Sequence, residues 1–180
     1  MGGGTYKRDF SNLDEVAKVP IGIDYVHHEV HEGKTYQSSY KSPEGSDVAD
    51  NGNITFLIVT GDRLCHIVFM GAAGGDTESL LYEGVTTSDD GTPIFVHNMN
   101  RNGIMTPSTA VYVTPTISDT GLTLHNSLIS GGTGPHSGGG QARTNTEWIL
   151  KPNLKYAARM INRSGCATPM SFIAQWYEKG

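Results

Sequence analysis

Three histidines and a glutamate fall within five residues, His27-His28-Glu29-Val30-His31. Imidazole and carboxylate are the side chains that hold zinc and move protons. A zinc hydrolase of the His-Glu-x-x-His kind needs both imidazoles at i and i+4 on one helix face, with the glutamate beside the first as general base. His28-Glu29-Val30-His31 is one residue short of that pattern. The segment carries no clear helical periodicity and runs into Gly33-Lys34, which reads as a turn. On a strand, His27 and His31 would share a face with Glu29. The sequence therefore predicts an ordinary polar segment, with no metal ligand and no cofactor.

Other candidates for chemistry have a simpler reading too. The run Gly131–Gln141, GGTGPHSGGGQ, has the glycines of a phosphate-cradling loop. It lacks the Gly-Lys-Ser/Thr ending whose lysine and hydroxyl hold phosphate and magnesium. It is expected to be a flexible loop, or one that fits closely against a neighbouring chain. Asp76, Asp89, Asp90 and Asp119 lie near turns without the spacing of a calcium loop, so turn formation is the expected role. No Gly-x-Ser-x-Gly nucleophile motif occurs, and no catalytic residue is assigned. Asn162-Arg163-Ser164 is a formal glycosylation sequon. Cys65 lies in an apolar run and Cys166 after a Ser-Gly turn, and two reduced thiols are expected. Trp148 and Trp176 alternate with polar neighbours, which favours core packing over a sugar-binding groove.

The elements that would position these residues centre on Asn53–Gly75. Two apolar runs, Ile54–Val59 and Leu64–Met70, flank Thr60-Gly61-Asp62-Arg63. Both have strand length and are rich in β-branched and aromatic residues. The break between them suits a tight reversal, so a buried β-hairpin is predicted, with both faces of the first strand covered. Gly71–Gly75 reads as a small-residue loop. Further strands are expected at Thr35–Tyr40, Thr77–Tyr82, Pro93–His97, Ser108–Thr114, Leu122–Ile129, Thr144–Leu150, Leu154–Asn162 and Met170–Tyr177. In the last of these, Met170, Phe172, Ala174 and Trp176 share one face. No internal repeat is evident. Nine or ten short strands with regular turn signals predict an all-β fold, an antiparallel, jelly-roll-like sandwich spanning residues 24–180.

Composition agrees. The chain has 180 residues, 37% hydrophobic and 17% charged, with 23 glycines. That is one domain's length, with the low charge and high glycine of a turn-rich β protein. Net charge is −5 with no Lys/Arg cluster, which argues against binding nucleic acid by phosphate neutralisation. No apolar run reaches the roughly 20 residues that span a bilayer, so no membrane partner is expected. The first residues, MGGGTYKRDF, lack the apolar core of a signal peptide, which predicts a protein made and kept in a cytosol.

The motifs, in their order along the chain, resemble a family of tailed-bacteriophage structural proteins. They are His27–Tyr40 with His-x-x-x-His-x-Gly-Lys-x-Tyr, Thr60-Gly61-Asp62, Leu81-Tyr82-Glu83-Gly84 and Asn98-Met99-Asn100-Arg101-Asn102. The glycine loop, Glu147–Asn153 with Tyr156, and Gln175-Trp176-Tyr177-Glu178 complete the set. The resemblance covers about residues 23–178. It implies a non-enzymatic virion component of the phage head, made in the host bacterial cytoplasm. Its implied role is that of a capsid decoration or cement protein that binds the major capsid protein, stabilises the head and associates with itself as a homotrimer. The alternative is a carbohydrate- or receptor-binding module of a phage fibre, resting on Asn- and Asp-rich loop tips and on aromatics such as Tyr6 and Tyr36.

Residues 1–23 lie outside the resemblance and read as an N-terminal arm. The segment mixes glycine with scattered charge and has few large apolar residues. It cannot bury enough surface alone to offset an ordering cost of about 1–2 kcal/mol per residue. Tyr6, Phe10 and Leu13 recur at helical spacing. They are the expected partner-binding residues if the arm orders against a capsid or a neighbouring subunit. The other reading is a loose tail with no partner.

Overall fold

The structure, a computed structural model, describes residues 25–131, 140–143 and 147–179. Among these described residues, one short helix, α1 (Tyr25–His31), precedes fourteen strands. These are β1 (Thr35–Lys41), β2 (Asn53–Val59), β3 (Leu64–Ala73), β4 (Thr77–Glu83), β5 (Thr86–Asp89), β6 (Thr92–Pro93) and β7 (His97–Asn98). They continue as β8 (Ala110–Val113), β9 (Thr116–Asp119), β10 (Leu122–Ile129), β11 (Gly140–Arg143), β12 (Trp148–Leu150), β13 (Lys155–Asn162) and β14 (Met170–Lys179). All pairings are antiparallel. One sheet runs β11-β3-β14-β1-β7, with β12 also on β3, and the other runs β10-β4-β13-β2-β8-β6. The two pack face to face as an all-β sandwich, as the strand pattern predicts.

The interior is built from alternate residues of both sheets. Ile67, Phe69, Phe172 and Trp176 from the first meet Phe56, Ile58, Tyr156 and Met160 from the second in one buried cluster. Phe172 is central, with ring centroids 4.7 Å from Phe56 and 5.8 Å from Phe69. Met170, Phe172, Ala174 and Trp176 are all buried, which fixes the predicted inward face of β14. Trp148 is half-buried against the same cluster.

Three local expectations are corrected. First, β2 and β3 do not form a hairpin. They lie in opposite sheets, β2 between β13 and β8, and β3 between β14 and β11/β12. The intervening Thr60–Arg63 is a corner between layers, tied to the far side of the chain. Thr60 Oγ1 accepts from Leu154 N at 2.9 Å and lies 2.8 Å from Lys151 O. A Cβ at Gly61 would come within 2.5 Å of Ser108 O, so the corner needs glycine for close backbone approach. The burial expectation for β2 holds, since Ile54–Ile58 are buried on both faces. Second, Gly71–Ala73 belong to β3 rather than to a loop. A Cβ on Gly71 would meet Met160 Sδ at 2.2 Å, so a strand glycine here admits a side chain of the opposite sheet. Third, Pro93–His97 is not a strand. Only the two-residue pieces β6 and β7 flank Ile94–Val96, and Phe95 is 87% exposed.

A short internal repeat also emerges that composition conceals. Thr86-x-Ser88-Asp89-x-Gly91 and Thr116-x-Ser118-Asp119-x-Gly121 lie thirty residues apart. They form β5 and β9, a separate two-stranded sheet. The pairing is two-fold symmetric, with Thr86 opposite Asp119 and Asp89 opposite Thr116. Each aspartate Oδ1 accepts from the glycine N–H two residues on, at 3.0 Å in both turns. The expected turn role of Asp89 and Asp119 is thus realised. Beyond the turns the two segments exchange, so that β6 pairs with β8 while β10 pairs with β4. The crossed straps cover the outer face of the second sheet, where Leu57, Val85 and Ala157 are buried beneath Tyr82, Tyr112 and Ile117.

Candidate functional site

The histidine cluster lies on α1, not on a strand. The helix ends in a Schellman motif in which Gly33 N donates to Val30 O and Lys34 N to Glu29 O, both at 3.0 Å. Gly33 takes the left-handed conformation, φ 71°, that such a cap requires. Gly33-Lys34 is therefore a helix stop rather than a strand turn. A glycine after a short run ending in histidine is the sequence signal that could have revealed it. A neighbouring loop holds the cap. Asn98 Nδ2 donates to Gly33 O at 2.7 Å, and Asn100 Nδ2 donates to His31 O at 3.0 Å. The Asn98–Asn102 motif thus positions the helix.

α1 lies over the outer face of β14 and β3. The Tyr25 and Tyr177 rings meet edge-to-face with centroids 5.8 Å apart, and Lys179 Nζ sits over the Tyr25 ring. Glu29 is buried beneath the helix. Beside it is a cavity of about 140 Å³, lined among others by Val26, Thr35, His66, Glu147, Gln175 and Tyr177. His66 and Tyr177 stack with centroids 4.5 Å apart, and Tyr177 Oη lies 2.9 Å from His66 Nδ1. Glu147 Oε1 is 3.6 Å from the same nitrogen. Burial pushes the Tyr177 hydroxyl well above the usual phenol range, and the Glu147 carboxylate beside it adds to this. The hydroxyl is held in a hydrogen bond with the His66 ring. Thr35 Oγ1 is buried without a hydrogen-bond partner. Val26, Val68, Met70 and Trp176 make most of the cavity lining apolar, and the Tyr177 hydroxyl, His66 imidazole and Glu147 carboxylate form a polar cluster at its edge. Its residues come from distant parts of the chain, so spacing could not have grouped them.

On the opposite, inward face of β14, the Glu178 carboxylate is 2% exposed and joins the two layers. It accepts from the backbone N–H groups of Ser108 and Thr109 at 2.8 Å each, and from Trp176 Nε1 at 3.3 Å. Arg63 Nη1 stands 3.5 Å away. The terminal Trp-x-Glu thus places an indole and its carboxylate partner on the same strand face.

The other sequence candidates fall as follows. Tyr6, Phe10 and Leu13 lie outside the described residues, as do most of the glycine loop and Thr144–Thr146. Tyr36 is fully buried, so it cannot serve as an exposed sugar-stacking aromatic. Asp76 Oδ1 accepts from Gly131 N at 2.8 Å, and Asp90 pairs with Lys155 Nζ at 2.5 Å. Asn162 is fully buried, with Nδ2 donating to the Val48 and Cys166 carbonyls at 2.8 and 2.7 Å, so the sequon is a structural turn in the folded chain. Cys65 is buried and Cys166 exposed, and both are free thiols.

The largest departures from an ordinary surface lie on the segment between β6 and β8. Phe95 is 87% and Ile104 95% exposed, and Met105 is partly exposed. Asn98 ties this segment both to the helix cap and to Met105 O, at 3.1 Å. Its backbone is anchored and Ile94 and Val96 pack against the core, while Phe95, Ile104 and Met105 face outward. Compared with protein-family models, curated proteins and solved structures, the chain matches none.

Proposed function

We propose that this chain is a tailed-phage head decoration protein, binding the major capsid lattice and its own copies. The ordered motif resemblance supplies the class. The observation that carries the reading is the anchored segment presenting Phe95 and Ile104 to solvent. Phe95 and Ile104 are the most exposed large apolar side chains among the described residues, more so than Leu122, Leu128 or Ile149, and aromatic anchors are favoured at protein contacts. Loop tips built on rigid strands present a fixed face to a lattice without a conformational change.

The sugar-binding alternative has less support. Trp176 is buried, Trp148 packs against the core and Tyr36 is enclosed, which leaves no tryptophan platform among the described residues.

Adding purified protein to undecorated capsids tests the reading by co-sedimentation. Phe95→Ser with Ile104→Ser should weaken association at least ten-fold with an unchanged melting temperature. Undiminished binding by this variant would remove the segment from the interface. No binding by the unaltered chain would count against the decoration role itself.

A further inference from the structure

We propose that His27 and His31 form a binding site for one divalent transition-metal ion of the imidazole-preferring class, such as Zn²⁺, Ni²⁺ or Cu²⁺. The two residues stand at i and i+4 on α1, both side chains exposed, with their Nε2 atoms 3.0 Å apart. The rings are nearly perpendicular, at 79°, with centroids 4.7 Å apart. An ion bound by two imidazoles sits about 2.0–2.1 Å from each nitrogen. At ligand angles between square and tetrahedral, that separates the nitrogens by roughly 2.9–3.4 Å. The observed spacing falls in this range, so chelation requires little rearrangement.

The helix is short, and an isolated turn of this length would not hold two side chains in register. Here its end is fixed by the Schellman cap, by Asn100 on the His31 carbonyl and by burial of Glu29. Preorganisation therefore comes from the fold rather than from helix propensity.

The site differs from that of a zinc hydrolase. The residue after the first ligand is His28, and the only glutamate on the helix is turned inward, with His28 Nδ1 3.7 Å away. Among the described residues no carboxylate faces the pair, and no third His, Cys, Asp or Glu joins it. The remaining coordination positions are left to water or to a donor from another molecule. The inference stands independently of the decoration reading, because it needs only the monomer.

A bare 3.0 Å contact also fits an N–H···N hydrogen bond between neutral imidazoles, and metal titration separates the two. With untagged full chain carrying Cys166→Ser, to remove the exposed thiol, calorimetry with NiCl₂ should show one equivalent bound. His27→Ala or His31→Ala should weaken binding at least ten-fold, and His28→Ala should leave it unchanged. NMR of the chain with all histidines intact gives a readout that needs no histidine variant. Substoichiometric Ni²⁺ should broaden the His27 and His31 ring signals before those of His66, His97 and His125. The proposal is overturned if no equivalent binds, if His27→Ala and His31→Ala bind as tightly as the unaltered pair, or if other imidazoles broaden first.

Discussion

At the residue scale, the chain relies on a few buried polar groups whose partners come from distant sequence. Glu178 is the clearest. Its carboxylate satisfies two backbone donors of the β8 entry and the Trp176 indole. Glu178→Ala leaves those donors buried and unpaired, at about 1–3 kcal/mol for each group. A total loss near 3 kcal/mol is expected, or a melting temperature lower by roughly 6–12 °C for a domain of this size. Glu178→Gln, which keeps one acceptor oxygen, should lose less, and thermal denaturation of the two variants checks the order. The cysteines give a second test. Burial raises the Cys65 thiol to about 12, while Cys166 is exposed. Thiolate is the reactive form, so a disulfide reagent near pH 8 should titrate one thiol per chain quickly and the second only after denaturation. Two fast thiols would mean that the layer around Cys65 opens readily. Neither the Glu178 cluster nor the cavity under α1 was legible in the sequence. A buried carboxylate is recognised by what surrounds it, and here Ser108 and Thr109 lie some seventy positions away.

At the element scale, strands with strong alternation or continuous apolar runs could be read from the chain. Thr35–Lys41, Asn53–Val59, Lys155–Asn162 and Met170–Lys179 fall close to where their patterns place them. What failed was partnership. Ile54–Val59 and Leu64–Met70 look like a hairpin because the break holds Gly61 and Asp62. Local turn chemistry cannot show whether a chain reverses within a sheet or crosses between sheets. The helix was missed because seven residues carry too little period to register, and the cue lay in its glycine cap. The crossed straps were missed because four-residue strands with exposed polar residues look like loops. They yield a sharp prediction. Gly91 and Gly121 have φ of 86° and 62°, and a Cβ on either would come within 2.3 Å of a backbone carbonyl, Val113 O and Glu83 O respectively. Gly84 shares the left-handed φ, at 74°, but nothing lies within 4 Å of its Cβ. Gly84→Ala should therefore cost about 1 kcal/mol from backbone conformation alone. Gly91→Ala and Gly121→Ala should each cost more than that, by similar amounts, because the two turns are equivalent. Urea denaturation of the three variants tests this, and a large asymmetry between Gly91 and Gly121 would show that the straps do not share the load.

At the scale of the whole molecule, two antiparallel sheets enclose an aromatic-rich core, and the crossed straps cover the second sheet's outer face. α1 and the Phe95–Met105 segment form a polar and apolar rim on one side. The strand pattern made the sandwich legible, whereas the exposed segment around Phe95 was masked because an apolar run reads first as core. The rim is where the proposed role as a virion component must be exercised. Mass spectrometry and a density map of purified virions decide that role. The proposal predicts the chain in the particles at a fixed copy number per capsomer, with sandwich-shaped density on the outer capsid surface and Phe95 and Ile104 at the contact. Finding it only in infected-cell lysate, with no matching density on the head, would contradict it.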